Sequence, residues 1–311
     1  MKIHIFAKPH FWGLHSDKEV LTEELTTLGH EVEVFLYPAL PTKKGDINIH
    51  IENINTQGKP LAHINWLIPN PEWLKADVDD IKSMDLILCK THEAKRIFDE
   101  KFLNAVFLGF TSHDHYIKEV EKDYRSLFHY QGGTGQRGTF WLERAWANDL
   151  EQTLPLLTII SFNTPPYEKG SLRMTSKWLP PEKFYPFQNS CGIHLFPSCT
   201  EGFGHTLNEG RATASVVITL DAPPMNELVT DRECLLPIVN KSIRFTSHFA
   251  NLYFYDPRDM VKMVQKLVSW PKEKLQEIGQ NNRKRYLQER EEFRERLKKI
   301  LSEVKIDKDN E

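Results

Sequence analysis

The stretch "SCTEGFGHTLNEGRATASVVIT" sets Glu201 and Glu209 eight residues apart, with the turn Gly202-Phe203-Gly204 after the first. A strand pattern, "GIHLF", runs into Pro197 and Ser198, so Glu201 falls in the loop that follows. The glycines let backbone N–H groups line a cleft. A helix starts near His205 or Thr206, which puts Glu209 inside its first turns. At 1.5 Å per helical residue, the carboxylates stand on the order of 10 Å apart. That separation does not suit a shared proton or metal ion. It suits two ends of one elongated polar ligand, with the helix N-terminus attracting an anion in the middle. Hydroxyls at either end would donate to the carboxylates, as a sugar and a ribose joined by a diphosphate would.

A second segment, "SLFHYQGGTGQRGTF", runs a strand into Gly132, Gly133 and Gly135 and starts a helix near Thr139. Such a loop lets a ligand approach the backbone and presents helix N–H groups to an anion. Arg137 lies inside it and can fork onto phosphate oxygens. The spacing matches neither G-x-G-x-x-G nor a Walker loop. A phosphate cradle and a plain glycine-rich surface turn both stay open. The "SHDHY" cluster offers His113 and His115 around Asp114, but no distant third ligand accompanies them, and it reads as a polar hinge.

These segments need elements to hold them. "KIHIFA", the helical spacing of Val20, Leu21, Leu25 and Leu28, and "EVEVFLY" read β-α-β, the unit of a doubly wound parallel sheet. Ser16 and Glu19 form a capping-box pattern for that first helix, and Gly29 ends it. "INIHIENI", "HINWLIP", "DLILCK" and "AVFLGF" supply further strands. The pattern lapses into polar sequence at 111–125, the candidate domain junction. Afterwards "SLFHYQ", "LLTIIS", "GIHLFPS", "VVITL" and "ECLLPI" alternate with helix patterns, and the tail is helical beyond Pro271.

With 311 residues the chain is long enough for two domains. A net charge of −3 gives no reason to expect nucleic acid. No apolar run reaches membrane-span length, and "MKIHIFAKPH" reads as a strand and not a signal peptide. The four cysteines lack CxxC pairing, which suits reduced thiols and a cytoplasmic location. Residues 283–299 carry eight Lys/Arg against four Glu. They read as a solvated helix with i,i+4 pairs, a weak peripheral membrane contact being the alternative.

"HLFPSCTEGFGHTLNEGRATASVVITLDAPPMNELV" resembles the signature of retaining GT-B glycosyltransferases of the family-4-like type, whose E-x7-E pattern is matched by Glu201 and Glu209. "MDLILCKTHEAKRIF", "LGFTSHDHY", "HYQGGTGQRGTFWLERAW" and the closing helices are similar to other parts of that family, in the same order. The resemblance implies an α/β GT-B fold, with two Rossmann-like domains facing across a cleft. Residues 1–116 would form the acceptor domain, and 117–311 the nucleotide-sugar donor domain with its closing helices. It implies retaining transfer of a sugar, of hexosyltransferase type, from a UDP-, GDP- or ADP-linked donor to a hydroxyl acceptor, with no metal and no cofactor beyond the donor substrate.

By position, Glu209 would bind the ribose hydroxyls, and Glu201 would sit at the donor sugar. The N–H groups around Phe203, Gly204, His205 and Thr206 would contact sugar and diphosphate. Arg137 would neutralise the leaving diphosphate, aided by the loop of Gly133 and Gly135. Gly13, in the first loop, would let acceptor and phosphate approach, and Asn70 stands about where the family often has a histidine. The phosphate loop departs from the family in offering one cation, and Ala214 and Val216 stand in the run after the second glutamate where the family usually has Gly and Pro. A non-catalytic nucleotide-sugar-binding protein, and a nucleotide-sugar hydrolase or epimerase, remain alternatives on the same fold.

Overall fold

The computed structural model describes residues 1–9, 12–100, 104–132, 135–161, 164–175, 179–243 and 249–305. Two compact units divide between Ser112 and His113. The first comprises Met1–Ser112, Arg244–Ala250 and Glu289–Glu311, and the second His113–Ile243 and Asn251–Gln288. The boundary expected from sequence at 116/117 lies four residues beyond this division, and residues 289–311, expected in the second domain, group with the first unit.

The first unit contains β1 (Lys2–Ala7), α1 (Trp12–Thr27), β2 (Glu31–Leu36), β3 (Gly45–Ile51), β4 (Ala62–Ile68), α2 (Val78–Lys82), β5 (Leu86–Cys89), α3 (His92–Asp99) and β6 (Ala105–Phe107). Its strands pair in parallel in the order β2-β1-β3-β4-β5-β6. Ile3, Ile5, Ile47, Ile49, Leu67, Ile87 and Leu88 are fully buried, as a sheet covered on both faces requires. The first helix begins a turn earlier than the Ser16 cap implied, at Trp12. Leu14, seven residues before Leu21, is buried with it and extends the apolar stripe backward. Ser16 is therefore interior, and Gly13 lies in the first helical turn and not in a loop.

A polar ladder crosses this sheet where the sequence showed only strand residues. His4 Nδ1 donates to Asn48 Oδ1 at 3.2 Å, Asn48 Nδ2 to Asn65 Oδ1 at 3.0 Å, and His50 Nε2 to Asn65 Oδ1 at 3.2 Å. Both imidazoles are fully buried, and burial pushes His50 down to about 4, so it is neutral. Lys90 and Asp17, also buried, pair at 2.7 Å.

The second unit contains β7 (Asp123–Tyr130), α4 (Thr139–Ala147), β8 (Leu156–Ile160), β9 (Tyr167–Lys169), β10 (Leu172–Thr175), α5 (Pro181–Ser190), β11 (Cys191–Leu195), α6 (His205–Ala212), β12 (Val216–Leu220), α7 (Met225–Leu228), β13 (Leu235–Leu236), β14 (Asn240–Ile243), β15 (Asn251–Phe254) and α8 (Pro257–Val268). The last helix, α9 (Lys272–Ser302), begins in it and ends in the first unit. The main sheet is ordered β13-β12-β11-β7-β8-β10-β9, all parallel except the β9–β10 hairpin. That hairpin escaped the sequence reading because "YEKGSLRMT" carries few apolar residues. "ECLLPI" yields only two strand residues.

Among the basic side chains of α9, Arg283 forks onto Asp114 at 3.0 and 3.1 Å, Arg294 holds Glu24, and Arg296 donates to the Leu108 carbonyl. Asp114 is thereby engaged, and no group of three His, Cys, Asp or Glu among the described residues could hold a metal ion. No helix among the described residues is long and apolar enough to cross a membrane.

Candidate active site

In the second unit β7 lies beside β11, and the chain leaves β7 in one direction across the sheet and returns to β11 on its other side. Ligands of open α/β sheets bind outside the carboxyl ends of strands at such a reversal. Both glycine-bearing segments lie there: the loop after β7 carries Arg137, and the loop after β11 carries Glu201.

Backbone contacts draw these loops together. The Cys199 N–H donates to the Gln136 carbonyl at 2.8 Å. Gly138 sits at φ +73, and a Cβ there would stand 2.5 Å from the Pro197 carbonyl oxygen. His129, fully buried at the end of β7, donates from Nδ1 to the Leu195 carbonyl at 2.6 Å. Its Nε2 then accepts from the Thr139 hydroxyl at 2.7 Å, pinning the start of α4. Burial pushes this imidazole down to about 4, the Leu195 carbonyl opposing the shift and the Arg137 charge adding to it. His129 was missed because a histidine in a strand carries no motif.

α6 starts at His205, as the sequence reading placed it, with Gly204 at φ +98 as N-cap and no side-chain cap. A Cβ on Gly204 would press on Leu207 and Leu228 at 3.2 Å each, so glycine is required by conformation and by space. Phe203, Thr206 and His205 are buried around it, with the Phe203 and His205 rings edge to face at 5.2 Å.

Arg137 joins the two segments. Its Nη1 donates to Glu201 Oε1 at 2.6 Å and to Thr206 Oγ1 at 2.8 Å. The pair is largely removed from water, with side-chain exposures of 18% and 8%. Nε and Nη2 donate to no described residue, which leaves one edge of the guanidinium fork for an anion. The guanidinium folds back over Gly132, which has φ +63. Gly135 begins the short 3-10 turn that ends at Arg137, with nothing within 4 Å of where a Cβ would stand; Gly133 lies outside the described residues.

Glu209 keeps some accessible surface, yet protein packs densely around its carboxyl. Burial pushes it up to about 7, against the Arg137 charge and a hydrogen bond from Gln188, which both favour the ionised form. Tyr130 at the end of β7 is pushed up to about 12, first by burial and then by the Glu209 charge. Gln188, buried at the end of α5, was not foreseen. Its Oε1, together with Gln131 Oε1 and Ser198 Oγ, is buried without a hydrogen-bond partner among the described residues. Buried polar atoms are rarely left unpaired unless a ligand or water meets them.

Gly13 and Asn70 belong to the first unit. Gly13 is exposed, with nothing within 4 Å of where a Cβ would stand. Asn70, just beyond β4, is buried and donates to Glu52 Oε2 at 3.2 Å, while its Oδ1 has no partner among the described residues. Glu52 was also missed; it holds a left-handed backbone at φ +66 and binds both Asn70 and Asn53. Burial raises its carboxyl above the ordinary range. Trp66 is a core residue of β4.

Two Rossmann-like units with parallel sheets define the GT-B fold. No protein-family model matches the sequence, and no curated protein matches it. Among solved structures, the chain is similar to a sucrose-phosphate synthase from Thermosynechococcus elongatus, at TM-score 0.71 and 10% identity over 97% of this chain and 98% of that one. It is similar to WaaG, a glycosyltransferase involved in lipopolysaccharide biosynthesis, at TM-score 0.66 and 12% identity over 98% and 100%. The pneumococcal O-GlcNAc transferase GtfA, solved with UDP and GlcNAc, matches at TM-score 0.59 and 14% identity over 82% of this chain. The chain spans only 56% of that GtfA chain, and 57% of its counterpart in a GtfA/B complex.

Proposed function

We propose that the chain is a retaining glycosyltransferase, of hexosyl type, that moves a sugar from a nucleoside-diphosphate sugar to a hydroxyl acceptor. The carrying observation is the Arg137 guanidinium, bound to Glu201 and Thr206 at the β7/β11 reversal, with a fork edge free and its charge reaching Glu209. In this reading the diphosphate meets that edge and the N-terminus of α6, where the N–H groups from Phe203 to Thr206 converge. Glu209 accepts from the ribose hydroxyls, and Glu201 from the donor sugar.

The bond from the anomeric carbon to the diphosphate breaks, and its electrons leave with the phosphate oxygen. The acceptor oxygen bonds to the same face of that carbon, and its proton passes to the departing phosphate. Stabilising the developing charge is the main catalytic task, which falls to Arg137 and the loop N–H groups. On this mechanism the protein needs no metal ion and no cofactor besides the donor. Asn70 and Gly13 belong to the acceptor side, Asn70 through its unpaired Oδ1. The four free cysteines fit a reducing cytoplasm.

Incubation with UDP-, GDP- and ADP-linked hexoses and a panel of hydroxyl acceptors tests the proposal. Acceptor-dependent release of nucleoside diphosphate, with the anomeric configuration kept by NMR, is expected. Donor consumption without acceptor would instead make the chain a hydrolase or epimerase, and binding without consumption a carrier.

A further inference from the structure

The first unit has its own reversal point. The chain runs from β1 to β2 on one side and then to β3 on the other, so the carboxyl ends of β1 and β3 flank a crevice position. A cavity of about 220 Å³ opens there. Phe6 and Lys8 line it from the end of β1, Tyr37 from beyond β2, and Asn55 from beyond β3; Lys75 completes the rim.

The chemistry of that lining is one-sided. Among the described residues, two cations and no carboxylate line the cavity, and neither Lys8 nor Lys75 has a hydrogen-bond or ion-pair partner. Lys8 does act by its charge on Glu52, but the Glu52 carboxylate accepts from Asn53 and Asn70. Asn55 is buried, and its Oδ1 accepts from the Gly58 N–H at 3.0 Å. Its Nδ2 donors are thereby oriented, and they meet no described partner.

The wall is held rigidly. The Asn55 N–H donates to His50 Nδ1 at 3.1 Å, His50 stacks on Phe6 at 5.1 Å, and Gly58 lies so close to Phe6 that a Cβ would come within 2.6 Å of its ring. His50, one end of the polar ladder across the sheet, therefore holds Phe6 and Asn55 in the cavity wall. Unpaired ammonium groups and amide donors over a preformed aromatic floor suit an anionic oxygen on a compact polar body.

We propose that this cavity binds a small anionic molecule, a phosphomonoester or a carboxylate carried on a sugar-sized body, through Lys8, Lys75 and the Asn55 amide. This holds whether or not the second unit transfers a sugar. Joined to the transfer reading, on which this clause alone rests, it makes acidic sugars the acceptor class.

Calorimetric titration of the full chain with glucose 6-phosphate, glucuronate, inorganic phosphate and neutral glucose tests it. At least one of the two acidic sugars is expected to bind, and the one that does identifies the anion. Lys8→Met/Lys75→Met should weaken that binding by about tenfold or more, with an unchanged melting temperature. Arg137→Met and the exposed-site control Lys118→Met should leave it unchanged. Glucose binding as tightly as the acidic sugars would overturn the proposal. So would indifference of the double variant, or loss in Arg137→Met, which would move the anion to the second unit. Because the readout is binding and not turnover, a failure here is separable from a failure of the transferase reading.

Discussion

Glu209 is held neutral-leaning by burial, and its proposed task requires charge. Its carboxyl is pushed from an ordinary 4.5 up to about 7. At about 1.36 kcal/mol per pKa unit, ionising it inside the folded protein costs on the order of 3 kcal/mol. An acid with a raised folded pKa stabilises nothing when charged. The folded state is at its full stability below about 4.5, loses stability as the pH rises toward 7, and carries the whole penalty above it. Glu209→Gln removes that penalty, so at pH 8 the variant should melt higher by about 5 °C or more.

Binding should move the other way. A carboxylate that accepts from two ribose hydroxyls must be ionised, so the nucleoside diphosphate expels the Glu209 proton. Affinity should then rise by up to about tenfold per pH unit between pH 5 and 6.5, and level off beyond 7. Calorimetric titrations with UDP, GDP and ADP from pH 5 to 8.5, in buffers of different ionisation enthalpy, read both affinity and proton release. The diphosphate's own titration contributes equally in wild type and Glu209→Gln, so the difference between them isolates Glu209. Equal slopes in the two proteins, or equal melting temperatures at pH 8, would refute the reasoning.

Arg137→Met leaves Glu201 in a site where its side chain is 8% exposed without its cation. Stability should fall by about 1–3 kcal/mol in denaturant titration, and turnover with a competent donor by about 100-fold; an unchanged rate would remove Arg137 from catalysis. Gly138→Ala forces a Cβ to within 2.5 Å of the Pro197 carbonyl at a left-handed φ. It should destabilise the chain by about 2–4 kcal/mol and weaken nucleotide binding as the two loops part; wild-type melting and binding would show that their close approach is dispensable.

Much of the second unit was legible because its elements are local. "SLFHYQ", "GIHLF" and "VVITL" are short apolar runs between turn residues, and they appear as β7, β11 and β12. The helix starts at Thr139 and His205 follow Gly138 and Gly204, whose left-handed backbone angles few residues other than glycine adopt. The first helix was cut short because a capping-box pattern at Ser16 and Glu19 competed with the apolar stripe reaching back to Leu14, and burial of Leu14 prevailed. The β9–β10 hairpin and the His4–Asn48–Asn65–His50 ladder left no periodic trace, since pairing across strands decides them.

By itself, the order of residues determined that one acid, one arginine and two glycine-bearing turns would stand at strand-to-helix junctions, with the second acid inside the helix that follows, because turn chemistry and helix starts are properties of a few neighbouring residues. Only the tertiary structure decided that Arg137, 64 positions from Glu201, closes on it, and that His129 and Gln188 brace the same site. It also decided that Glu209 titrates near neutrality and that Lys8 and Lys75 face one cavity. Such distant contacts depend on strand order, and desolvation depends on what the fold stacks around a group; neither quantity is carried by any local run of the chain.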